Sequence, residues 1–202
     1  LKILSADTGS QSARYVFMGG VIGENAGTSV SDIHNEGSLE IARVENNTST
    51  QVKMGGVIGD NTVAIDGGNT TKNITNSGKI EYNTNSSAQI NGYYVGGIAG
   101  ASKADVKNAK NTGYIRFNWE STSNVASMIY LGGIVGGMYG AGSIIGCENV
   151  KTVSTGGEVY LAVTPADLGH TNNSVGGILG YSVSDVSLSD CINSGYVHGG
   201  NN

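Results

Sequence analysis

Apolar residues recur in one fixed order along this chain, five times over. Each cycle opens with an apolar residue, a glycine pair and two further aliphatic positions: "MGGVIGEN" at 18–25, "MGGVIGDN" at 54–61, "VGGIAGAS" at 95–102, "LGGIVGGM" at 131–138 and "VGGILGYS" at 175–182. A second signature follows, built on Asn-x-Gly: "IHNEGSL" at 33–39, "ITNSGKI" at 74–80, "AKNTGYI" at 109–115 and "CINSGYV" at 191–197. In the fourth cycle an insertion separates "CEN" at 147–149 from its glycine in "GGEV" at 156–159. Beyond the second glycine apolar residues alternate, as in Leu39 and Ile41, Ile80 and Tyr82, Ile115 and Phe117, or Val159, Leu161 and Val163. Period two marks a half-buried strand, and no stretch sustains the 3.6-residue period of a helix.

The first glycines of the pairs, Gly19, Gly55, Gly96, Gly132 and Gly176, lie 36, 41, 36 and 44 residues apart. Each cycle predicts three short strands: one running into Gly-Gly, one before Asn-x-Gly and one after it. A unit of this kind cannot bury its apolar face alone, whereas stacking units at ~4.8 Å buries a continuous core and pairs every backbone. The predicted fold is all-β, a parallel β-solenoid of about five repeats of about 40 residues, with roughly three strands per rung. One repeat domain covers 1–202, with repeats near 15–51, 52–92, 93–128, 129–172 and 173–202. A β-propeller fits less well, because three strands are one short of a blade and no blade signature occurs.

In this frame Gly19, Gly20, Gly55, Gly56, Gly96, Gly97, Gly132, Gly133, Gly176 and Gly177 are corners, needing either positive φ or close backbone approach. Asn35, Asn76, Asn111, Asn149 and Asn193 form one column, and stacked Asn side chains can hydrogen-bond along the axis. A phosphate-binding loop is excluded on context: no Gly-Lys-Ser/Thr follows the glycines, and no strand-to-helix pattern surrounds them.

The two signatures resemble the GLUG motif, a glycine-rich repeat of bacterial surface proteins that also occurs beside the catalytic domains of IgA-cleaving metallopeptidases. "GGILGYSVSDVSLSDCINSGYV" at 176–197 carries the resemblance best, and it extends from about Tyr15 to Val197. It implies a non-catalytic extracellular module of adhesin-like proteins at the bacterial cell surface. The metallopeptidase activity does not transfer, since His34, His170 and His198 are far apart and none sits in His-Glu-x-x-His.

Composition narrows the partners. Glycine supplies 33 of 202 residues, about 16%, against a usual ~7%. Only 13% are charged and the net charge is −5, with Lys and Arg scattered, so nucleic acid is not an expected partner. No apolar run approaches the ~20 residues of a membrane-spanning helix. The chain begins at Leu1 without Met, which reads as a piece of a longer protein, and open solenoid ends point to flanking residues or end-to-end self-association.

Candidate chemistry is sparse, and no cofactor or metal is expected. Cys147 and Cys191 share a column with Ile33, Ile74 and Ala109, which reads as two free thiols in a core, although stacking one rung apart at ~4.8 Å also puts them within the ~4.4–6.8 Å Cα range of a disulfide. Asp32, Asp66, Asp105, Asp185 and Asp190 form no clean column for acid–base work, and "DGGN" at 66–69 is no calcium repeat. The favoured binding feature is aromatic. The position before the inward residue of each Gly-Gly signature is Phe17, Lys53, Tyr94, Tyr130 or Ser174, and an outward Phe17, Tyr94 and Tyr130 would make a stripe that stacks on sugars or anchors a protein. The polar segments 44–51, 83–92, 118–127 and 164–173 fall at one phase of the repeat, and Trp119 lies in one of them as a further candidate contact. The expected function is a structural and adhesive module presenting a binding face to a protein or carbohydrate ligand. The alternative is a β-helical enzyme that degrades polysaccharide.

Overall fold

The structure, a computed structural model, describes residues 2–3, 15–27, 29–41, 47–68, 70–84, 90–120, 128–151, 157–164 and 172–201. Every helical or strand element among them is a β-strand. In the third rung the strands are Ile90–Gly96, Ala99–Ser102, Val106–Lys107, Ala109–Asn111 and Ile115–Glu120. They belong to five sheets, numbered I to V in that order. Sheets I, II and IV hold five strands, sheet III four and sheet V six. Neighbours within a sheet are parallel and one repeat apart: Val95 pairs with Met54 and Leu131, and Asn111 with Asn76 and Asn149. The chain is therefore the parallel β-solenoid the repeats predict.

Each full rung carries five strands where the pattern predicts about three. Sheets I, IV and V are the predicted ones. Sheets II and III add strands of two to four residues, too short for alternation to register.

Two apolar cores run along the axis. Sheets I and V enclose the first, with Met54, Val95 and Leu131 facing Ile80, Ile115 and Phe117. Within it Tyr82 stacks on Phe117 at 4.3 Å, and the hydroxyls of Tyr82 and Tyr93 lie 2.7 Å apart. Sheets II, III and IV enclose the second, which holds Ile58, Ile98, Val106, Ile144, Ala109 and Cys147.

The Gly-Gly corner separates the two cores, and close approach explains its composition. A Cβ on Gly97 would lie 2.2 Å from the Gly133 carbonyl oxygen. The third glycine of the signature does the same between sheets, since a Cβ on Gly100 would lie 2.4 Å from the Met54 nitrogen. None of the ten paired glycines has a left-handed φ. That conformation sits at another corner, between sheets III and IV, at Asp32, Lys72, Asn108, Gly146 and Asp190. Asn and Asp tolerate it best after glycine, and here their side chains also bond between rungs. Asn108 Nδ2 donates to Asp66 Oδ1 at 2.7 Å, and the Asn73 carboxamide donates to Asp32.

The asparagine column forms a continuous ladder. Asn35, Asn76, Asn111 and Asn149 each donate from Nδ2 to Oδ1 of the next Asn at 2.7–2.8 Å. The Nδ2 of these four and of Asn193 also donates to a glycine carbonyl of its own rung: Gly37, Gly78, Gly113, Gly157 and Gly195 in turn. In the fourth rung Asn149 reaches across the insertion, so Gly157 takes the place of the column glycine. A second, shorter ladder runs through the last residue of the Gly-Gly signature, from Asn25 to Asn61 at 2.9 Å and from Asn61 to Ser102 at 3.0 Å.

Candidate functional site

The outer face of sheet V carries an open aromatic and charged surface. Alternation turns Ile80, Ile115 and Val159 inward, so the residues between them point outward. In-register pairing then makes one column of Glu40, Glu81, Arg116, Tyr160 and His198. The residues just before the inward aliphatics form a second column: Lys79, Tyr114, Glu158 and Tyr196.

These groups hold one another in place. Tyr114 donates its hydroxyl to Glu81 Oε1 at 2.6 Å, and Lys79 Nζ lies 3.0 Å from Glu81 Oε2. Arg116 Nη2 donates to Glu158 Oε2 at 3.2 Å. The Arg116 guanidinium lies between two rings, 5.2 Å from the centroid of Tyr114 and 5.7 Å from that of Tyr160. Tyr160 stacks on His198 at 4.8 Å with planes 9° apart. Tyr196 is 65% exposed, with Lys151 Nζ 4.4 Å from its ring centroid.

Partial burial alone would raise the Glu81 carboxyl, but the bonds from Tyr114 and Lys79 outweigh it and hold it below the usual range. The Lys79 ammonium is raised by its bond to Glu81. Tyr114 is raised by burial and then by the bond to Glu81. Within this cluster the acids and bases pair off. The stacked ring faces are taken up within the columns, so the surface offers hydroxyls, ring edges and one guanidinium. That chemistry recognises a polar ligand by hydrogen bonds as well as by apolar contact.

The aromatic stripe expected beside Gly-Gly is closed. Phe17, Lys53, Tyr94, Tyr130 and Ser174 do point away from the first core, but sheet II folds back over them. Tyr94 and Tyr130 are 3% and 4% exposed, and Phe17 is half-buried. Sheet II fills the seam with small or aromatic partners. Tyr94 packs with Ala101, and a Cβ on Gly137, one rung on, would lie 2.8 Å from Tyr94 Cδ1. The Tyr130 and Tyr181 rings stack at 4.2 Å. In the second rung the pair is ionic, with Lys53 Nζ 2.7 Å from Asp60 Oδ2. Trp119 also departs from expectation: it lies on a strand of sheet V, not in a loop, and is 2% exposed in the first core. Of the variable segments, 42–46, 85–89, 121–127 and 165–171 lie outside the described residues, as does His170. Each joins sheet V to sheet I of the next rung.

Both cysteines are free. Among the described residues, no group of three or more His, Cys, Asp or Glu is placed to hold a metal ion. Among the same residues no helix is long and apolar enough to cross a membrane.

The fold thus defines the class as a parallel β-solenoid repeat protein. Comparison of the chain with protein-family models, with curated proteins and with solved structures gave no match.

Proposed function

We propose that this protein is a non-catalytic, extracellular structural and adhesive repeat module of a bacterial cell surface. Its binding face is the outside of sheet V, and its ligand is a protein or carbohydrate. The observation that carries this reading is the row Arg116, Tyr160 and His198 on three successive rungs, with Tyr114 beside Arg116 on the same outer face. The solenoid supplies what such a face needs. A rigid backbone ladder fixes side chains at a regular spacing of ~4.8 Å, so little conformational freedom is lost on binding. Tyr and Arg are the residue types that most often dominate binding surfaces.

The test is a glycan and host-protein array probed with the wild-type chain and with Tyr160→Ala and Arg116→Ala. Loss of a wild-type signal in both variants, with unchanged thermal melting, supports the reading. Equal binding by all three, or release of sugar fragments from an arrayed glycan, overturns it.

A further inference from the structure

Two thiols lie one above the other in the second core. Cys147 and Cys191 occupy equivalent positions at the start of sheet IV in adjacent rungs, since Glu148 pairs with Ile192 and the Ile192 nitrogen donates to the Cys147 carbonyl at 2.9 Å. Their sulfurs have equivalent surroundings. Cys147 Sγ lies 3.4 Å from the Val106 oxygen and 3.5 Å from the Ile145 oxygen. Cys191 Sγ lies 3.4 Å from the Ile144 oxygen and 3.3 Å from the Ser189 oxygen. Equivalent residues of parallel neighbours are ~4.8 Å apart at Cα, inside the ~4.4–6.8 Å range that a disulfide spans. The same column in the third rung holds Ala109. The two differ in access: Cys147 is fully buried, and Cys191 is half-buried.

We propose that Cys147 and Cys191 are a thiol–disulfide modification site, with Cys191 as the attacking sulfur and Cys147 as the resolving one, converted by a small-molecule disulfide into a bond between the fourth and fifth rungs. The protonation pattern agrees. The neighbouring Cys147 side chain pulls Cys191 down to about 6, against the effects of burial and of Asp190. The Cys191 side chain, with burial, pushes Cys147 well up, against the pull of the Ala109 backbone and of Lys72. The thiolate is the nucleophile, so Cys191 reacts first.

With oxidised glutathione the Cys191 thiolate attacks one sulfur, the glutathione S–S bond breaks, and one glutathione leaves as its thiolate. Cys191 then carries the other glutathione in a mixed disulfide. Cys147 gives up its proton, by way of solvent, to the departed glutathione thiolate. Its sulfur attacks Cys191 Sγ, and the second glutathione leaves. Two protein thiols are oxidised to one disulfide, and one glutathione disulfide is reduced to two thiols.

The experiment is intact-mass spectrometry of the fully reduced, folded chain after incubation with oxidised glutathione. Wild type is expected to lose two hydrogens. Cys147→Ala is expected to stop with one glutathionyl group on Cys191, and Cys191→Ala to stay unmodified. Alanine already occupies this column at Ala109, and thermal melting of each variant confirms folding. A wild type that gains no disulfide, or a Cys191→Ala chain that is glutathionylated at Cys147, overturns the proposal.

Discussion

The carboxamide of Asn111 sits where a Cβ on Gly97 would be. Such a Cβ would lie 2.4 Å from Asn111 Cγ, and the same holds for Gly20 with Asn35, Gly56 with Asn76, Gly133 with Asn149 and Gly177 with Asn193, at 2.3–2.5 Å. The two signatures therefore recur together because they touch. A ladder of asparagines runs beside a column of residues that have no side chain. Gly97→Ala should cost ~3 kcal/mol or more, because neither the Gly133 carbonyl nor the ladder can move aside. Gly37→Ala meets only Asn35 Oδ1, at 3.5 Å, and should stay within ~0.5 kcal/mol of wild type. Urea unfolding of both variants checks the contrast.

The ladder should be worth most at its centre. Asn111→Ala removes the donor to Asn149 Oδ1 and to the Gly113 carbonyl, both buried, and should cost about 2–3 kcal/mol. Asn193 is exposed, so Asn193→Ala should cost less than ~1 kcal/mol. Equal losses at the two positions would count against a cooperative ladder.

Lys53 and Asp60 are a buried ion pair within an aromatic seam. The Lys53 ammonium lies 5.2–5.4 Å from the ring centroids of Tyr15, Phe17 and Tyr139, and Asp60 Oδ1 has no hydrogen-bond partner. Removing one partner strands a charge, so Lys53→Met or Asp60→Ala alone should lose ~3–5 kcal/mol. The double variant should lose less than the sum of the two, and a denaturant double-mutant cycle measures that coupling.

Trp119 is the one tryptophan of the chain, which makes its burial directly observable. Its emission should be blue-shifted and poorly quenched by acrylamide in the folded chain, and both properties should be lost in urea. Trp119→Ala should cost ~3–5 kcal/mol, as for a large aromatic removed from a packed core.

Acid should weaken the fold through three carboxylates. Asp66 is lowered mainly by the bond from Asn108, and Asp105 mainly by the bond from Lys107. Glu81 is lowered by Tyr114 and Lys79 in spite of burial. A depressed folded value means that the stabilisation is fully present above the ordinary carboxylate range of ~4 and is lost as pH falls through the folded values. Thermal melts should therefore fall below pH ~4. Asp66→Asn with Glu81→Gln should flatten that slope.

The outer face of sheet V was missed in the sequence, although its signal is there. The alternation that turns Ile115 inward also turns Tyr114 and Arg116 outward, and Tyr196 stands before Val197 in the same way. The same reasoning set Tyr94 and Tyr130 apart from the first core, and there it stopped short. Alternation reports which side of a strand a residue faces, but not whether a later strand covers that side. Sheet II does so with strands of only four residues, and only the fold in space brings Ala101 and Gly137 against Tyr94 and Tyr181 against Tyr130.

By itself the sequence determined the repeat, the parallel stacking and the asparagine column, because each depends on neighbours at a fixed offset along the chain. Only the tertiary structure decided the five-sided rung, the closed seam, the burial of Trp119 and the meeting of Asn111 with Gly97. Those depend on how tightly the chain turns at each corner. Corners are set by backbone approach across a rung, between residues whose order in the sequence gives no distance.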